Sequence, residues 1–293
     1  MKSEDLKALV GIVVVLLIAV LLAWAGSQGG VERFGIPVFA LCVGLAFLIQ
    51  WIVFIPAYLY QTEKFFDLTG SLTYLSVITL AVLLSANTDA RAWLLLALVA
   101  VWAVRLGSFL FTRVRKSGKD SRFDEIKPSF ARFLMTWTLQ GLWVSFTLAA
   151  ALAAITSHVR IPLDIFGWLG LLVWAEGFLI EVLADWQKSR FRADPANKGQ
   201  FIRSGLWAWS RHPNYFGEIL LWCGVAIITL PVLRGWQWLT MISPVFVFFL
   251  LTRISGIPML EKSADEKWGG QADYEDYKAN TSILVPLPPR KDQ

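Results

Sequence analysis

The stretch RSGLWAWSRHPNYFGEILLWCGVAIITLPV, residues 203–232, sets a dense polar motif directly against an uncharged apolar run. Arg211, His212, Asn214, Tyr215 and Glu218 crowd the segment beside Trp207 and Trp209, and from Ile219 to Val232 no charge appears. A helix entry needs one polar cap, here Asn214 beside Pro213, and not five polar side chains. The surplus points to a charged ligand or to chemistry at a membrane surface. One of only two histidines stands here, and the other, His158, falls in a short loop.

The apolar character continues outward from this stretch. The 293 residues are 56% hydrophobic with 15 Trp and 20 Phe, and the mean hydropathy is +0.55. Soluble domains are roughly 45–50% apolar. Runs near the roughly 20 residues that cross a hydrocarbon core recur at 6–26, 35–59, 66–86, 91–112, 131–156, 162–184, 215–232 and 236–252. Inside lipid a helix satisfies its own backbone groups, which an isolated strand cannot do. The expected fold is an all-α polytopic membrane bundle of seven to eight transmembrane helices. The last two runs, joined by Pro231–Trp236, read as a tight hairpin or one broken span. The first run is too long for the apolar stretch of a signal peptide and reads as a retained helix.

Lys and Arg set the expected orientation. With eight spans, one side's loops hold Arg33, Arg91, Arg160 and Arg234, and the other side holds nearly all the rest of the 27. The asymmetry puts both termini, and the loops at 113–130 and 186–214, in the cytoplasm, which means the inner membrane in a prokaryotic cell. The net charge of +5 then belongs to a basic membrane-facing surface and not to a nucleic-acid site. Cys42 and Cys223 lie inside apolar runs with neither zinc spacing nor a disulfide framework, so no metal is expected. No Walker loop, GxGxxG turn, HExxH or GxSxG is present.

Charged side chains at membrane depth each ask for a partner or a function. Glu181, Asp185, Lys188 and Arg192 are spaced 4, 3 and 4, which puts them within roughly 40–60° on one helix face. They read either as a ladder of ion pairs or, at the basic end, as a phosphate site. On the third run Glu63, Asp67 and Tyr74 stand at i, i+4 and i+11, with Gln61 just before them. A carboxyl desolvated in an apolar pocket stays protonated near neutral pH and donates a hydrogen bond. Beside a phenol it makes a donor pair for a developing enolate oxygen; alternatively the two acids only suit the helix dipole. Arg105 stands alone midway along the fourth run, where an anionic ligand is the usual partner. Arg253 ends the last run, Glu261 follows shortly after, and Tyr274 and Tyr277 are stacking surfaces or interfacial anchors.

Together, Ala-Asp-Trp-Gln-Lys-Ser-Arg-Phe-Arg (184–192), Gly205-Leu206-Trp207, Arg211–Glu218, the Tyr274–Tyr277 segment and Val285-Pro286 resemble the C-terminal domain of the steroid 5α-reductases. The likeness covers roughly residues 90–290, is strongest to the bacterial branch of that family, and is shared in part by the sterol C14 and C7 reductases. It implies reduction of the C4=C5 double bond of a 3-oxo-Δ4 steroid or a similar apolar enone, with hydride from NADPH. Residues 1–60 would be N-terminal membrane spans, and 61–293 a catalytic region whose cytoplasmic loops close over the cofactor. On matching positions Asp185, Lys188, Arg192, Trp207, Arg211, His212, Asn214, Tyr215 and Glu218 would contact or frame NADPH, with Arg105, Arg253 and Tyr277 as further candidates. Gln61 and Glu63 are the nearest match, with one residue inserted, to the family's ketone-holding Gln-Glu pair. The family's tyrosine falls near Trp102, which cannot donate in the same way, so Tyr74 is the substitute and Asp67 a second acid. The implied partners are the steroid and the lipid bilayer.

A different class shares part of the motif. Isoprenylcysteine and phospholipid methyltransferases carry Arg-x-Pro-x-Tyr-x-Gly and bind S-adenosylmethionine. They typically lack Asn at the position of Asn214 and the Asp-x-Gln-Lys helix end at 185–188. A non-enzymatic sterol binder on the same fold would need only the pocket.

Overall fold

The computed structural model describes residues 3–85, 88–117 and 123–288. Lys119 and Arg122 of the basic loop, and Arg290 and Lys291 of the tail, lie outside the described residues. The helices in chain order are α1 Ser3–Ser27, α2 Val38–Leu59, α3 Phe66–Leu84, α4 Ala90–Ser117 and α5 Phe130–Thr156. They continue as α6 Ile165–Ala193, α7 Pro213–Thr229, α8 Ile242–Phe249, α9 Ile257–Trp268 and α10 Ala272–Asn280. A small antiparallel hairpin, β1 Glu32–Arg33 and β2 Ile36–Pro37, pairs Glu32 with Pro37 and Arg33 with Ile36. Its two-residue turn puts Phe34 and Gly35 both at positive φ, 55° and 72°, as a type I′ turn requires.

Among the described residues, seven helical stretches are long and apolar enough to cross a membrane: 3–27, 38–59, 66–84, 90–112, 130–156, 165–193 and 235–268. This is the all-α polytopic architecture expected from the apolar runs, and the chain is a multi-pass membrane protein. α7, at 17 residues, is an eighth, shorter apolar helix. It ends at Thr229, and helix resumes in a 3-10 turn at Gly235–Met241, so the last two runs are separate helical segments.

By packing, the chain divides into a first unit of residues 1–167 and 228–243 and a second of 168–227 and 244–293. This division is distinct from the functional one expected at residue 60.

In the first unit α1, α2, α3 and α4 all pack on α5. From Leu148 to Ile155 every α5 residue is buried, as befits a helix that is apolar all round. Its alanines leave room for neighbouring backbones to approach. Some polar side chains of this core bond to each other or to the helix backbone, although Gln50 Oε1 and Gln140 Oε1 have no hydrogen-bond partner. Gln50 Nε2 donates to Thr73 Oγ1 at 2.8 Å, and the Thr73 and Ser145 hydroxyls donate to carbonyls one turn back. No water competes in that medium, so each such bond removes an otherwise costly orphan. Arg91 is also buried. It donates to the Ile228 and Pro162 carbonyls and pairs with Asp164 at 3.0 Å, which offsets the cost of hiding a guanidinium.

In the second unit α6 and α7 touch backbone to backbone through glycines. A Cβ on Gly177 would lie 2.5 Å from the Leu221 nitrogen, and one on Gly224 2.5 Å from that of Trp174. Gly217 in turn leaves no room against the Gly177 carbonyl oxygen, 2.5 Å from where its Cβ would stand. This small-residue contact brings the C-terminal end of α6 against the N-terminal end of α7, and so the two polar motifs together. The tail then straps across the motif loop: Arg211 N donates to Ser282 O at 2.8 Å and Leu287 N to Trp209 O at 3.0 Å.

Candidate functional site

The second unit gathers most of the residues expected at a cofactor. Asp185 is buried on α6 and accepts a hydrogen bond from Asn214 Nδ2, at the start of α7, at 3.1 Å. One turn further along α6, the Lys188 ammonium stands 4.2 Å above the Trp207 ring, a cation–π contact. Trp207 is fixed by its indole N–H, which donates to Ala184 O at 3.0 Å, and its carbonyl accepts from Tyr277 Oη at 2.6 Å. Burial pushes the Tyr277 phenol above its ordinary pKa, so it serves as a donor and not as an anion. Tyr215 stacks on His212, with centroids 5.8 Å apart and planes 10° from parallel.

The centre of this arrangement is Glu261 of α9. One oxygen meets Arg211 Nη1 at 2.6 Å and the other meets His212 Nε2 at 2.7 Å. Burial holds the His212 imidazole below its ordinary pKa, partly opposed by the Glu261 hydrogen bond and assisted by the nearby Lys188 and Arg211 charges. Near neutral pH it is therefore a neutral ring. Arg211 Nε, His212 Nδ1 and Asn214 Oδ1 are buried and have no hydrogen-bond partner in the protein. Buried orphans of this kind cost about 1–3 kcal/mol each, so three within one motif ask for a ligand.

Alongside lies a cleft of about 140 Å³, walled by Lys188, Arg192, Lys267, Phe201, Trp207 and Tyr277. Three cations among aromatic faces suit a phosphate-bearing ligand with flat rings. The donor set therefore fits a dinucleotide. The volume is below the roughly 300–1,000 Å³ of ordinary ligand sites, so such a ligand needs the walls to part. Nothing in the sequence singled out Glu261 as the hub. The one signal was an acid directly after the last apolar run. Phe201 and Trp268, whose rings meet each other and Tyr274 edge-on or tilted at 5.3–6.1 Å, were also missed, because Phe201 is far from the other two in sequence.

The other expected site residues fall elsewhere. Arg253 is exposed in the π turn Leu250–Ile254 and does not line the cleft. Glu218 is half-buried on α7, one turn beyond Asn214. Arg105 belongs to the first unit, half-buried on α4 with its guanidinium 5.5 Å from the Phe109 ring.

The ketone-side candidates also lie in the first unit, and here the expected geometry needs correction. α3 starts at Phe66, so Glu63 stands in the turn before it and does not share a helix face with Asp67 and Tyr74. Gln61 is at φ 49°. Thr62 N donates to Ala57 O at 2.9 Å and Gln61 N to Tyr58 O at 3.2 Å. That is a Schellman ending with Gln61 in the left-handed position usually held by glycine. Its amide turns back to Tyr58 O at 2.7 Å. Glu63 is buried and paired with Lys127 at 2.6 Å, and this hydrogen bond raises the Lys127 pKa. An ammonium at that distance favours the ionised carboxylate, the opposite of the protonated donor expected from burial alone. Asp67 sits half-buried in the first turn of α3, and Tyr74 packs edge-on against Trp102 with centroids 5.0 Å apart. Among the described residues no group of three or more His, Cys, Asp or Glu is placed to hold a metal.

Residues 53–281 match the family described as protein of unknown function (DUF1295). Steroid 5-alpha-reductase DET2 of Gossypium hirsutum is 29% identical over 184 residues, 60% of this chain and 62% of that protein. The protein of the same name from Solanum lycopersicum is 28% identical over 41% of each chain. 3-oxo-5-alpha-steroid 4-dehydrogenase 1 of Macaca fascicularis is 31% identical over 41% of this chain and 40% of its own. The matches thus span 40–62% of these relatives' lengths. No solved structure matches the chain. With one family matched from residue 53 to 281 and steroid 5α-reductases among its relatives, the chain belongs to the DUF1295 family and, with it, to the steroid 5α-reductase family.

Proposed function

We propose that this protein reduces the C4=C5 double bond of 3-oxo-Δ4 steroids with NADPH, and that residues 61–293 form the catalytic region. The observation that carries the reading is the set of three buried, unpartnered polar atoms on Arg211, His212 and Asn214 beside a cation-lined cleft. The reductase names of the relatives give the reading its reaction. Lys188, Arg192 and Arg211 would hold phosphate, Asn214 and His212 would hydrogen-bond the cofactor's polar edge, and Trp207, Tyr215 and Tyr277 would offer flat faces. Asp185 and Glu218 frame them. Arg105 and Arg253, which do not line the cleft, are assigned to the cofactor through the family resemblance alone. Bound NADPH would supply the hydride for the β-carbon of the enone. Tyr74 is the neutral donor we assign to the ketone oxygen, and its contact with Trp102 sets it beside the position where the family carries tyrosine. Gln61, Glu63 and Asp67 complete that side, with Glu63 donating only when protonated. The motif loops and both termini are assigned to the cytoplasm, where NADPH is available.

Incubating the purified protein with NADPH and a panel of Δ4-3-ketosteroids should yield 5α-reduced product and equimolar loss of NADPH. Methyl transfer from S-adenosylmethionine, with no NADPH oxidation on any enone, would decide for the methyltransferase class instead.

A further inference from the structure

A large hollow in the first unit lies away from the candidate site residues. It is a trough of about 990 Å³ between α1 and α2, with Ala23, Trp24, Val43, Gly44 and Phe47 among its walls. Its α1 side runs from Leu16 to Ser27, eleven residue steps, which at 1.5 Å each is about 16 Å. That is close to half of a hydrocarbon core about 30 Å thick, the depth of a single leaflet. The trough is apolar along its length and polar at one end only, where Ser27, Gln28, Glu32 and His158 line it. Ser27 Oγ is buried there and has no hydrogen-bond partner.

The polar end adjoins a second hollow of about 470 Å³ that shares Gly30, Glu32 and His158 with the trough and adds Arg33 and Arg160. Two guanidiniums and an imidazole thus stand with one carboxylate at the mouth of an apolar channel. The surrounding side chains place this end at a membrane interface. Phe34 at the hairpin tip is 89% exposed, and Trp24 meets the exposed Trp236 at 5.4 Å, the aromatic enrichment usual where lipid meets water.

We propose that this pair of hollows is a binding site for one phospholipid with an amine-bearing zwitterionic head, of the phosphatidylethanolamine type. An acyl chain lies in the trough, Arg33, Arg160 and His158 face the phosphate, and Glu32 faces the ammonium. Charge complementarity decides the head. The arginines suit phosphate. Glu32 repels the anionic lipids that the arginines alone would accept, and it hydrogen-bonds an ammonium but not a quaternary choline.

Gly44 makes a clean test possible, because a Cβ built there meets nothing within 4 Å. A bulky side chain at this position starts in open space and would take up room in the trough. The experiment is native mass spectrometry of the detergent-purified protein titrated with dioleoyl phosphatidylethanolamine, phosphatidylcholine and phosphatidylglycerol. The parent should retain one phosphatidylethanolamine with a preference of about tenfold over the other two, the worth of one charge-assisted hydrogen bond. Gly44→Phe should lose that retention with its thermal unfolding unchanged or raised. Glu32→Gln should keep lipid but bring the three lipids to within about twofold. If Gly44→Phe fails to fold, Ala23→Leu narrows the same trough from the opposite wall and is read the same way. Retention by the trough-filling variant equal to the parent's, or a Glu32→Gln protein with undiminished selectivity, overturns the proposal. So does one-for-one displacement of the lipid by a Δ4-3-ketosteroid, which would make the trough an antechamber for an apolar substrate.

Discussion

Two acids, Glu63 buried in the first unit and Glu261 half-buried in the second, are handled in opposite ways. Glu63 stands in the turn before α3 and faces one ammonium, Lys127, at 2.6 Å. Glu261 on α9 holds two groups at once, Arg211 at 2.6 Å and His212 at 2.7 Å. Around Glu261 the partners themselves keep buried atoms unsatisfied: Arg211 Nε, His212 Nδ1 and the neighbouring Asn214 Oδ1. Lys127 also meets Asp124 at 3.5 Å, so the Glu63 cluster ties its loop to the turn before α3. A carboxylate that holds two cationic or basic groups, whose far sides are still unsatisfied, keeps a binding site assembled while its ligand is away. An orphaned atom alone does not mark such a site, since the buried Arg91 paired with Asp164 also keeps its Nε unsatisfied; at Glu261 three lie in one motif beside a cation-lined cleft.

The largest effect expected from this contrast is on turnover. If Tyr74 is the ketone-side donor, Tyr74→Phe should lower kcat by about 10²-fold. It should leave the Kd for NADPH within about twofold of the parent, because a donor that matters only as charge develops acts on kcat. Steady-state kinetics with a Δ4-3-ketosteroid, beside equilibrium NADPH binding, would read both. A Tyr74→Phe enzyme with unchanged kcat removes the phenol from the reaction.

Stability separates the two acids directly. Lys127→Met leaves the buried Glu63 carboxylate without its ammonium and should cost about 3–5 kcal/mol. Glu261→Gln keeps an acceptor for Arg211 and His212 and should cost less, about 1–3 kcal/mol. Thermal unfolding in detergent checks the ranking. NADPH should recover more of the loss in Glu261→Gln than in Lys127→Met, because only the former lies at the proposed cofactor site. The reverse order would make Glu63 part of the ligand hub and Glu261 the structural pair.

Lys188 gives a smaller effect. Removing one of several phosphate-facing cations should weaken NADPH binding by about tenfold. Steroid KM should change by less in Lys188→Ala, since the cation–π contact with Trp207 belongs to the second unit alone. Equal losses for both ligands would mean the lysine holds the fold through Trp207 and does not touch the cofactor.

These outcomes bear on what the sequence could disclose. The apolar runs gave α1 to α5 to within about five residues, because crossing a membrane forces length and composition together, whereas α6 continues nine residues past its run, to Ala193. The spacing of Asp185 and Lys188 placed them on one face, and α6 does carry that face to Asn214 and Trp207. Glycines 177, 217 and 224, which set the two helices in contact, give no signal until a partner helix is known. Helical spacing misled at Glu63. A left-handed residue at Gln61 ends α2, and α3 begins only at Phe66, so the counted periodicity ran through a turn. Glu261 and the Phe201 and Trp268 wall belong to contacts between segments distant in the chain, which no local pattern encodes.

The smallest effect tests whether burial holds His212 neutral beside Glu261. Burial is the main cause of the lowered pKa, the Glu261 hydrogen bond opposes it, and the Lys188 and Arg211 charges add to it. A group whose folded pKa lies below its unfolded value binds fewer protons in the folded state over that interval, so stability rises with pH across it. The contribution of His212 is therefore complete above the unfolded value of 6.5 and is lost as pH falls from there through the folded value. Thermal unfolding of the parent should drop as pH is lowered below 6.5, before the carboxylates begin to titrate near pH 4 or so. In His212→Gln, which keeps a neutral hydrogen-bonding side chain, the slope in this window should flatten. A parent whose stability instead rises relative to His212→Gln as pH falls through this window would show a raised pKa and an imidazole protonated in the folded state. The pair with Glu261 would then be a full salt bridge, and the hub would be as closed as Glu63 with Lys127.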